Sequence, residues 1–360
     1  MGFKCGIVGL PNVGKSTLYN ALTAKEIEAS NYPFSTISPN ACFVEIPDTN
    51  LNELQAIVNA EKVIPSLMQF VDIAGLVKDA SQGMGLGNKF LGNIRETQAI
   101  AHVVRCFDDP DIIRVEESVD PTGDIEIIET ELALSDLDRM QNAIDKLKKI
   151  AKSANKDAIA KLNFIEKLYS KVSEMKETDW SREEYAVAEE LGLLSFKPVL
   201  FIANVDDIND YNTVHVEAVT THAKKKNAPV IVICAKIEAE LALLDAVDKK
   251  EFLEDLGLNE PGLNKLIRIG HQTLGLHHYY TAGPKEVRSW TLPKNTNAQH
   301  AAGLIHTDFF KKFIRAEVIH YDDFIRFKGE AGAKKNGVWT VEGKDYIVRE
   351  GDIMFFRIGK

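Results

Sequence analysis

One short segment near the N-terminus constrains this chain more than any other feature. The sequence GLPNVGKS at residues 9–16 lies between an apolar run at residues 5–8 and a stretch with helical apolar spacing at residues 18–22. The first pattern predicts a buried strand and the second a helix. A glycine-rich turn between them lets backbone N–H groups surround phosphate oxygens, and the helix N-terminus adds partial positive charge. Strand, GxxxxGK[ST] and helix together predict a loop that binds a nucleoside triphosphate.

The residues of this loop receive separate roles from their chemistry. Lys15 is expected to reach the terminal phosphates and to take part in catalysis, while Ser16 supplies a hydroxyl ligand to Mg²⁺. The other loop positions expected to contact the nucleotide are Asn12, Val13, Gly14 and Thr17. Asn12 leaves two interpretations open. P-loop proteins with asparagine there often bind K⁺ beside the phosphates, and asparagine also suits a turn.

Apolar, β-branched runs alternate with helical patterns along much of the chain. The runs lie at residues 6–8, 42–46, 69–73, 101–107, 198–203 and 230–234. Such alternation predicts a doubly wound α/β sheet that binds its ligand at the carboxyl ends of the strands. We assign this P-loop domain to residues 1–124 and 196–277.

Two regions depart from that alternation. Apolar residues step by three and four from 137 to 154 and again from 158 to 172, which predicts a two-helix hairpin. Because strand-like runs resume afterwards, residues 125–195 are expected to form an inserted helical domain. Short strand-like segments between Gly, Asn and Asp turns, with a helix over residues 297–305, predict a small β-grasp-like domain at residues 278–360.

The composition narrows the class of protein. Hydrophobic residues make up 45% and charged residues 27%, and the net charge is −10. These values are typical of a globular domain and argue against a surface that binds polyanions throughout. With no signal-like N-terminus and no apolar run of about 18 residues, we expect a cytoplasmic protein that binds no membrane. The four cysteines lack CxxC spacing, which predicts buried free thiols.

A second phosphate-sensing motif follows the run at residues 69–73. Asp72 opens the sequence DIAG, and in GTPase-like proteins such an aspartate holds Mg²⁺ through water while the glycine amide, here of Gly75, contacts the γ-phosphate. The next residue, Leu76, stands where Ras-like enzymes place the glutamine that orients the attacking water. A leucine cannot hydrogen-bond water, so hydrolysis needs another arrangement. Thr36 is the candidate switch threonine for Mg²⁺, with an ordinary surface threonine as the alternative.

Base selection is assigned to two motifs that follow later strands. The segment Asn204-Val205-Asp206-Asp207 corresponds to NKxD, in which the aspartate binds guanine and the lysine packs over the base. Here Val205 replaces the lysine, whereas Asp207 keeps the carboxylate. After the next strand, Cys234-Ala235-Lys236 matches the SAK-type loop that supports the base through backbone contacts. Asn204, Val205, Asp207 and this tripeptide are the predicted base site.

Together these motifs closely resemble the YchF family, the Obg-like ATPases within the translation-factor class of P-loop proteins. The matching segments are GLPNVGKST at residues 9–17, NYPFSTI at 31–37, DIAGLVKDASQGMGLGNKF at 72–90, IRETQAIAHVVRCF at 94–107, EPGLNKLIR at 260–268 and KDYIVREGDIMFFR at 344–357. The resemblance covers essentially the whole chain. It implies a G domain, an inserted helical domain and a C-terminal TGS domain. It also implies hydrolysis of ATP, which is unusual for a GTPase-like fold and is attributed to the departure from NKxD.

Three positions depart from the family pattern. Asp207 stands where relatives commonly have glutamate, which leaves GTP as an alternative nucleotide, and Asp79 stands where they usually have glycine. Arg114 occupies the position of a histidine that bacterial relatives often carry and that is assigned to hydrolysis. A guanidinium can stabilise transition-state charge as an internal arginine finger, but it cannot act as a general base near neutral pH. A solvated arginine is the alternative.

The predicted hairpin carries a local positive charge. Residues 146–176 contain nine lysines and three acidic residues, a net charge of +6. The lysines fall largely outside the apolar seam, so they predict an exposed basic face that binds RNA or the ribosome through phosphates. A merely solvated helical face is the alternative.

These observations favour a slow, switch-type NTPase that prefers ATP, acts as a monomer and associates with ribosome or RNA in a nucleotide-dependent way. Two rivals remain open. One is a GTPase of the same fold, favoured by Asp207. The other is a ribosome- or RNA-binding module whose nucleotide is a structural ligand, favoured by Leu76 and opposed by Lys15, Ser16 and Asp72.

Overall fold

The computed structural model describes residues 3–26, 40–73, 88–108, 119–152, 155–174 and 180–359. Contacts group the chain into two compact units. The first unit comprises residues 1–43 and 69–266, and the second comprises residues 44–68 and 267–360. We treat each unit by itself.

The described residues form the following elements in chain order. The strands are β1 (Lys4–Val8), β2 (Ala41–Glu45), β3 (Lys62–Ile64), β4 (Leu67–Asp72), β5 (Ala99–Arg105), β6 (Val199–Asn204), β7 (Val230–Ile233), β8 (Leu276–Ala282), β9 (Glu286–Pro293), β10 (Phe313–His320), β11 (Thr340–Glu342) and β12 (Asp352–Ile358). The helices are α1 (Lys15–Thr23), α2 (Asn50–Val58), α3 (Asn88–Arg95), α4 (Pro121–Ala151), α5 (Lys156–Ser173), α6 (Arg182–Leu191), α7 (Thr213–Lys225), α8 (Ala235–Leu243), α9 (Ala246–Asp255), α10 (Gly262–Thr273), α11 (Ala298–Ile305), α12 (Thr307–Lys311), α13 (Tyr321–Arg326) and α14 (Glu330–Lys335).

The sheet of the first unit has the strand order β2-β4-β1-β5-β6-β7. The neighbouring pairs from β4 to β7 are parallel, and β5 is buried along nearly its whole length. Parallel strands with intervening helices confirm the predicted doubly wound α/β class. Each of the six apolar runs corresponds to a strand of this sheet. The carboxyl ends of the five parallel strands from β4 to β7 therefore lie at one edge, where the ligand was expected.

The predicted helical hairpin is present in the first unit as α4 and α5. Asp120 caps α4 by accepting a hydrogen bond from the Gly123 N–H, and Asn155 caps α5 by accepting one from the Ala158 N–H. An apolar cluster that includes Met140, Ile144, Ile165, Leu168 and Val172 joins the two helices. The seam read from the sequence therefore forms the hairpin core.

The base of α4 is fixed to the rest of this unit by buried contacts. Ile128 and Leu132 of α4 share an apolar cluster with Phe90 and Ile94 of α3. Arg95, the last residue of α3, donates a hydrogen bond to the Ser135 hydroxyl at 2.6 Å. The fully buried Asp136 carboxylate accepts hydrogen bonds from the backbone N–H groups of residues 194 and 195 and from the Ser195 hydroxyl. These bonds offset part of the free-energy cost of removing the carboxylate from water. Desolvation by burial still raises the pKa of Asp136.

The second unit is built on a mixed sheet with the order β11-β10-β12-β8-β9-β3. The pair β12–β8 is parallel and lies between two antiparallel pairs, β10–β12 and β8–β9. Tyr279 and Tyr280 of β8 are fully buried, and they help to form apolar clusters on this sheet. The arrangement confirms the predicted β-grasp-like class.

The grouping of residues differs from the three predicted domains in one respect. Residues 44–68, expected within the P-loop domain, join the second unit. Leu51 and Leu54 of α2 are buried in a cluster with Tyr280, Val287 and Phe324, and β3 pairs in parallel with β9. The second unit also starts at residue 267 rather than 278, and the hairpin is grouped with the P-loop sheet. The three-domain division itself stays a prediction.

Two further expectations can be compared with the described residues. All four cysteines are buried free thiols, as the absence of CxxC spacing indicated. In the part of the chain that the structure describes, no helix combines the length and apolar character needed to cross a membrane.

Candidate nucleotide-binding site

The loop at residues 9–14 connects β1 to α1 with a backbone that requires glycine at its ends. Gly9 has φ of +153° and Gly14 has φ of +97°, both in the region that side chains rarely adopt. A Cβ at Gly14 would lie 2.1 Å from Asn204 Nδ2, and one at Gly9 would lie 2.4 Å from the Val103 carbonyl oxygen. Asn12 also has positive φ, 61°, which asparagine tolerates in turns. The loop is therefore fixed by conformation and by close approach of its neighbours.

Lys15 is the first residue of α1 and is largely buried, with 6% of its surface exposed. Its ammonium group donates a hydrogen bond to the Leu10 carbonyl oxygen, so the side chain folds back over the loop. Burial lowers the pKa of Lys15 to about 8, and the negative charge of Asp72 acts in the opposite direction. A buried cation of this kind is suited to a ligand that brings several negative charges.

Asn204, the last residue of β6, joins the two loops that were predicted to hold opposite ends of the nucleotide. Its Nδ2 donates a hydrogen bond to the Val13 carbonyl oxygen at 2.9 Å. Its Oδ1 accepts a hydrogen bond from the Ala235 N–H at 3.0 Å. With 4% of its surface exposed, this side chain is a buried strut between the loop after β1 and the loop after β7.

The neighbouring positions of the base motif behave differently from one another. Val205 is buried in an apolar cluster, and its short side chain has neither the long stem nor the charge of the lysine that it replaces. The exposed Asp207 accepts hydrogen bonds from the N–H groups of Asn209 at 2.8 Å and Asp210 at 3.3 Å. This carboxylate closes a local turn. Cys234 is also buried, and its thiol donates a hydrogen bond to the Asp206 carbonyl oxygen at 3.1 Å.

A cavity of about 300 Å³ lies at the carboxyl edge of the sheet. Its lining includes the following residues predicted for the site: Asn12, Gly14, Lys15, Ser16, Thr17, Asn204, Val205, Ala235 and Lys236. Val13, Asp207 and Cys234 were also predicted to bind nucleotide and do not line this cavity. Val13 takes part through its carbonyl oxygen, which Asn204 holds. The volume is at the lower end of that found for small-molecule sites.

Two lining residues, Phe107 and Asp206, were missed by sequence reasoning. Phe107 follows β5, and the guanidinium of Arg105 lies 5.0 Å from the centre of its ring. Arg105 Nε also donates a hydrogen bond to the Phe107 carbonyl oxygen at 2.9 Å. The sequence signal for Phe107 was its place directly after a strand at the ligand-binding edge.

The predicted Mg²⁺ ligands within the described residues are Ser16 and Asp72. Ser16 lines the cavity. Asp72 ends β4 beside β1, opposite Ile7 in the parallel register, and its charge acts on Lys15. Hydroxyl and carboxylate oxygens are ligands that Mg²⁺ prefers. The donor set at this edge therefore fits a magnesium ion. Thr36, Gly75, Leu76, Asp79 and Arg114 lie outside the described residues.

Comparisons with known proteins agree with this geometry. The family model MMR_HSR1, a 50S ribosome-binding GTPase, matches residues 4–163, and the model YchF-GTPase_C, described as a protein of unknown function, matches residues 276–359. The ribosome-binding ATPase YchF of Pasteurella multocida is 54% identical over 99% of both chains. The Bacillus subtilis protein of the same name is 46% identical, again over 99% of both chains.

Solved structures give the same picture. The Schizosaccharomyces pombe YchF GTPase superimposes with a TM-score of 0.89 at 35% identity, covering 99% of this chain and 98% of that one. A GTP-binding protein from Pyrococcus horikoshii, at 21% identity and a TM-score of 0.62, shares the fold. About half of the residues are identical to those of the two bacterial relatives over the full length, and the P-loop, the buried lysine and the strut between the two loops agree with that likeness. The chain therefore belongs to the YchF family of P-loop nucleotide-binding proteins.

Proposed function

We propose that this protein is a cytoplasmic, monomeric, Mg²⁺-dependent ATPase of low turnover whose nucleotide state governs its association with the ribosome or RNA. The observation that carries the proposal is the buried strut, Asn204, which holds the phosphate loop and the base loop at one cavity. The names of the relatives support ATP and the ribosome as ligands. K⁺ beside Asn12 is a second candidate cation.

Each residue then has a stated task. The backbone N–H groups of residues 12–17 and the Lys15 ammonium bind the phosphates, and Ser16 and Asp72 would hold Mg²⁺, which neutralises charge on the phosphate oxygens. By the assignment from sequence motifs, Gly75 would contact the γ-phosphate and Thr36 would complete the coordination of Mg²⁺. Leu76 leaves the attacking water without a side-chain hydrogen bond, which is consistent with slow turnover. Arg114 would stabilise developing negative charge if it acts as an internal arginine finger, and a solvated arginine is the alternative.

We expect ADP to bind at least several-fold more tightly than GDP in the presence of Mg²⁺. The reason is that the buried Val205 offers no aliphatic stem to pack over a guanine, and the Asp207 carboxylate is engaged in its own turn. Calorimetric titration of nucleotide-free protein with both nucleotides measures the ratio.

The variant Asp207→Asn is the matched test of the base motif. An asparagine oxygen can accept the same turn hydrogen bonds, so the fold is retained, but the negative charge is lost. If Asp207 binds the guanine edge, this change weakens the binding of GDP more than the binding of ADP. Equal affinity of the wild type for ADP and GDP, or a preference for GDP, would contradict the assignment to ATP.

GTP hydrolysis is the second candidate function, favoured by the retained Asp207 carboxylate. The S. pombe neighbour, which is named a GTPase, also supports this candidate. A third candidate is a binding module in which nucleotide is not turned over. Phosphate release from ATP and GTP, with and without ribosomes, separates these cases. Turnover of neither nucleotide under any condition would leave only the binding module.

Six of the hairpin lysines form two groups of three in the structure. Lys148, Lys161 and Lys171 form ion pairs with glutamates 166, 190 and 184. Lys149, Lys152 and Lys156 are exposed near the turn of the hairpin and have no ion pair among the described residues. A lysine already neutralised by a carboxylate releases fewer counterions when it meets a phosphate. The second group is therefore the proposed contact.

Replacing Lys149, Lys152 and Lys156 together with glutamine should weaken ribosome or RNA binding. The slope of the logarithm of the binding constant against the logarithm of the salt concentration should also become shallower, by about 0.7–0.9 for each lost phosphate contact. Co-sedimentation across a salt series measures both effects. The matched control, Lys148, Lys161 and Lys171 to glutamine, removes the same charge and should change binding less, with ADP affinity unaltered in both. Equal effects of the two triple variants would mean that the hairpin contributes only its net charge.

A further inference from the structure

Two arginines lie directly opposite each other on the sheet of the second unit. In the antiparallel register of β10 and β12, Arg315 pairs with Arg357, and two residues further along Glu317 pairs with Phe355. Residues two apart on a strand share a face. Like charges placed opposite each other destabilise a sheet, so this pair needs a compensating group.

A bulge produces this pairing. Phe313 pairs with Ile358 and Arg315 with Arg357, so Ile314 is the extra residue on β10. Without the insertion, Ile314 would lie opposite Arg357. β-Bulges commonly re-aim a side chain at a binding site, and here the bulge brings two guanidinium groups to one point on one face.

Glu317 holds both guanidinium groups in fixed orientations. Arg357 donates from Nε at 3.2 Å and from Nη2 at 2.8 Å to its two carboxylate oxygens. Arg315 donates from Nη2 to the same carboxylate at 3.2 Å. Hydrogen bonding from Arg357 lowers the pKa of Glu317. One carboxylate thus serves two cations, and one positive charge remains.

The guanidinium groups are also open to a ligand. The side chains of Arg315 and Arg357 are 51% and 54% exposed, whereas that of Glu317 is 8% exposed. Glu330, whose charge also acts on Arg357, is held by Lys334 at 2.6 Å. The remaining N–H donors of the two arginines therefore face solvent beside an uncompensated charge. That combination suits an anion with oxygens that accept from planar donors.

An apolar row borders the arginine pair. Val341 of β11 lies opposite Glu317 and is 59% exposed. Phe355 lies opposite Glu317 on the other side, and Trp339 stacks on it with ring centres 5.3 Å apart. Lys334 Nζ lies 3.9 Å from the centre of the Trp339 ring, and both rings pack against the apolar cluster of this sheet. The exposed apolar surface beside the arginines is therefore that of Val341, and it suits a ligand that joins an anionic group to an apolar one.

From these contacts we infer that the Arg315–Arg357 pair binds a phosphodiester group of single-stranded RNA, with the adjoining nucleoside against the exposed Val341. The inference rests on the proposed function only for the choice of RNA as ligand. It adds a second contact surface, independent of the hairpin lysines. A phosphate at this point would balance two guanidinium groups with two anions.

The test uses the full chain and a short fluorescein-labelled oligouridylate, followed by anisotropy over a salt series. Arg315→Gln leaves the two-point contact of Arg357 with Glu317 intact, so the fold is retained, and a thermal melt checks this. We expect the dissociation constant to rise about tenfold and the salt dependence to flatten by about 0.7 logarithmic units, the value for one phosphate on a single strand. Arg349→Gln, an exposed arginine of the same unit, should change neither. Arg315→Lys should restore less than the wild-type affinity because it lacks the planar donors.

Three results would overturn the inference. The first is no binding of the oligonucleotide by the wild type, and the second is wild-type affinity in Arg315→Gln. The third is competition by a poly-glutamate peptide equal to that by RNA, which would assign the surface to acidic protein segments. Titration with ADP and co-sedimentation with ribosomes are run on the same variants. If the wild type binds neither ADP nor ribosomes, the proposed function is contradicted. If it binds both and Arg315→Gln has wild-type affinity for the oligonucleotide, only this surface is contradicted.

Discussion

Replacing Lys15 with alanine is expected to lower ATP turnover by at least about a hundredfold and to remove most of the affinity for the triphosphate. The ammonium is the buried cation at the phosphate end of the cavity, held over the loop by the Leu10 carbonyl oxygen. Its loss leaves phosphate charge without a counter-charge in a largely desolvated place, where electrostatic interactions are strong. Phosphate release at saturating nucleotide and calorimetric titration measure the two effects separately.

The matched control is Lys224→Ala, an exposed lysine of α7 in the same unit, which should leave turnover unchanged. Ser16→Ala should instead raise the Mg²⁺ concentration needed for half-maximal turnover, because it removes a hydroxyl ligand. Normal hydrolysis by Lys15→Ala would show that the loop does not hold the phosphates.

Replacing Asn204 with alanine is expected to disturb both ends of the site at once. The change removes a donor to the Val13 carbonyl oxygen and an acceptor for the Ala235 N–H, and both partners are buried. Leaving such groups unpaired should lower the free energy of unfolding by about 1–3 kcal/mol. Because the two loops are no longer pre-arranged, the dissociation constant for ADP should rise by at least about tenfold.

Asn204→Asp separates the two contacts. Aspartate still accepts from the Ala235 N–H but can no longer donate to the Val13 carbonyl oxygen, so it should lose phosphate affinity while the base loop remains in place. Asn209→Ala, in the same loop, is the control. Chemical denaturation measures the stability of each variant. Separate titrations with ADP and with adenosine distinguish a loss of phosphate binding from a loss of base binding. An Asn204→Ala protein with wild-type stability and affinity would contradict the strut.

The sequence predicted the parts of this fold that local pattern determines. The P-loop, the six apolar runs and the hairpin seam each carry a period or a motif, and each corresponds to an observed element. The seam residues Met140, Ile144 and Ile165 are buried as their spacing indicated. The position of the cavity followed from the rule that parallel strands bring their carboxyl ends to one edge.

Other features could not be predicted because they depend on which distant residues meet. The apolar spacing of Leu51 and Leu54 indicates a buried face, but it does not say that the face packs against Tyr280 and Phe324, more than two hundred residues away. The engagement of Asp207 in a turn, rather than in the cavity, is likewise invisible in a motif shared with guanine-binding proteins. Phe107 belongs to no nucleotide-binding motif, and its place after β5 indicates the site only once the order of strands in the sheet is known.

The packing of α3 on the base of α4 has a mechanical consequence. Helix α4 is 31 residues long, and about 20 of those residues lie beyond the contact of Leu132 with α3, a rigid arm of about 30 Å at 1.5 Å per residue. A tilt of about 5° at the base would carry the far end through about 2–3 Å, close to half of one helical turn. Because α3 follows the DxxG segment in the chain and holds α4 through Arg95, a sub-ångström change beside the phosphates would be magnified several-fold at the lysine-bearing end of the arm.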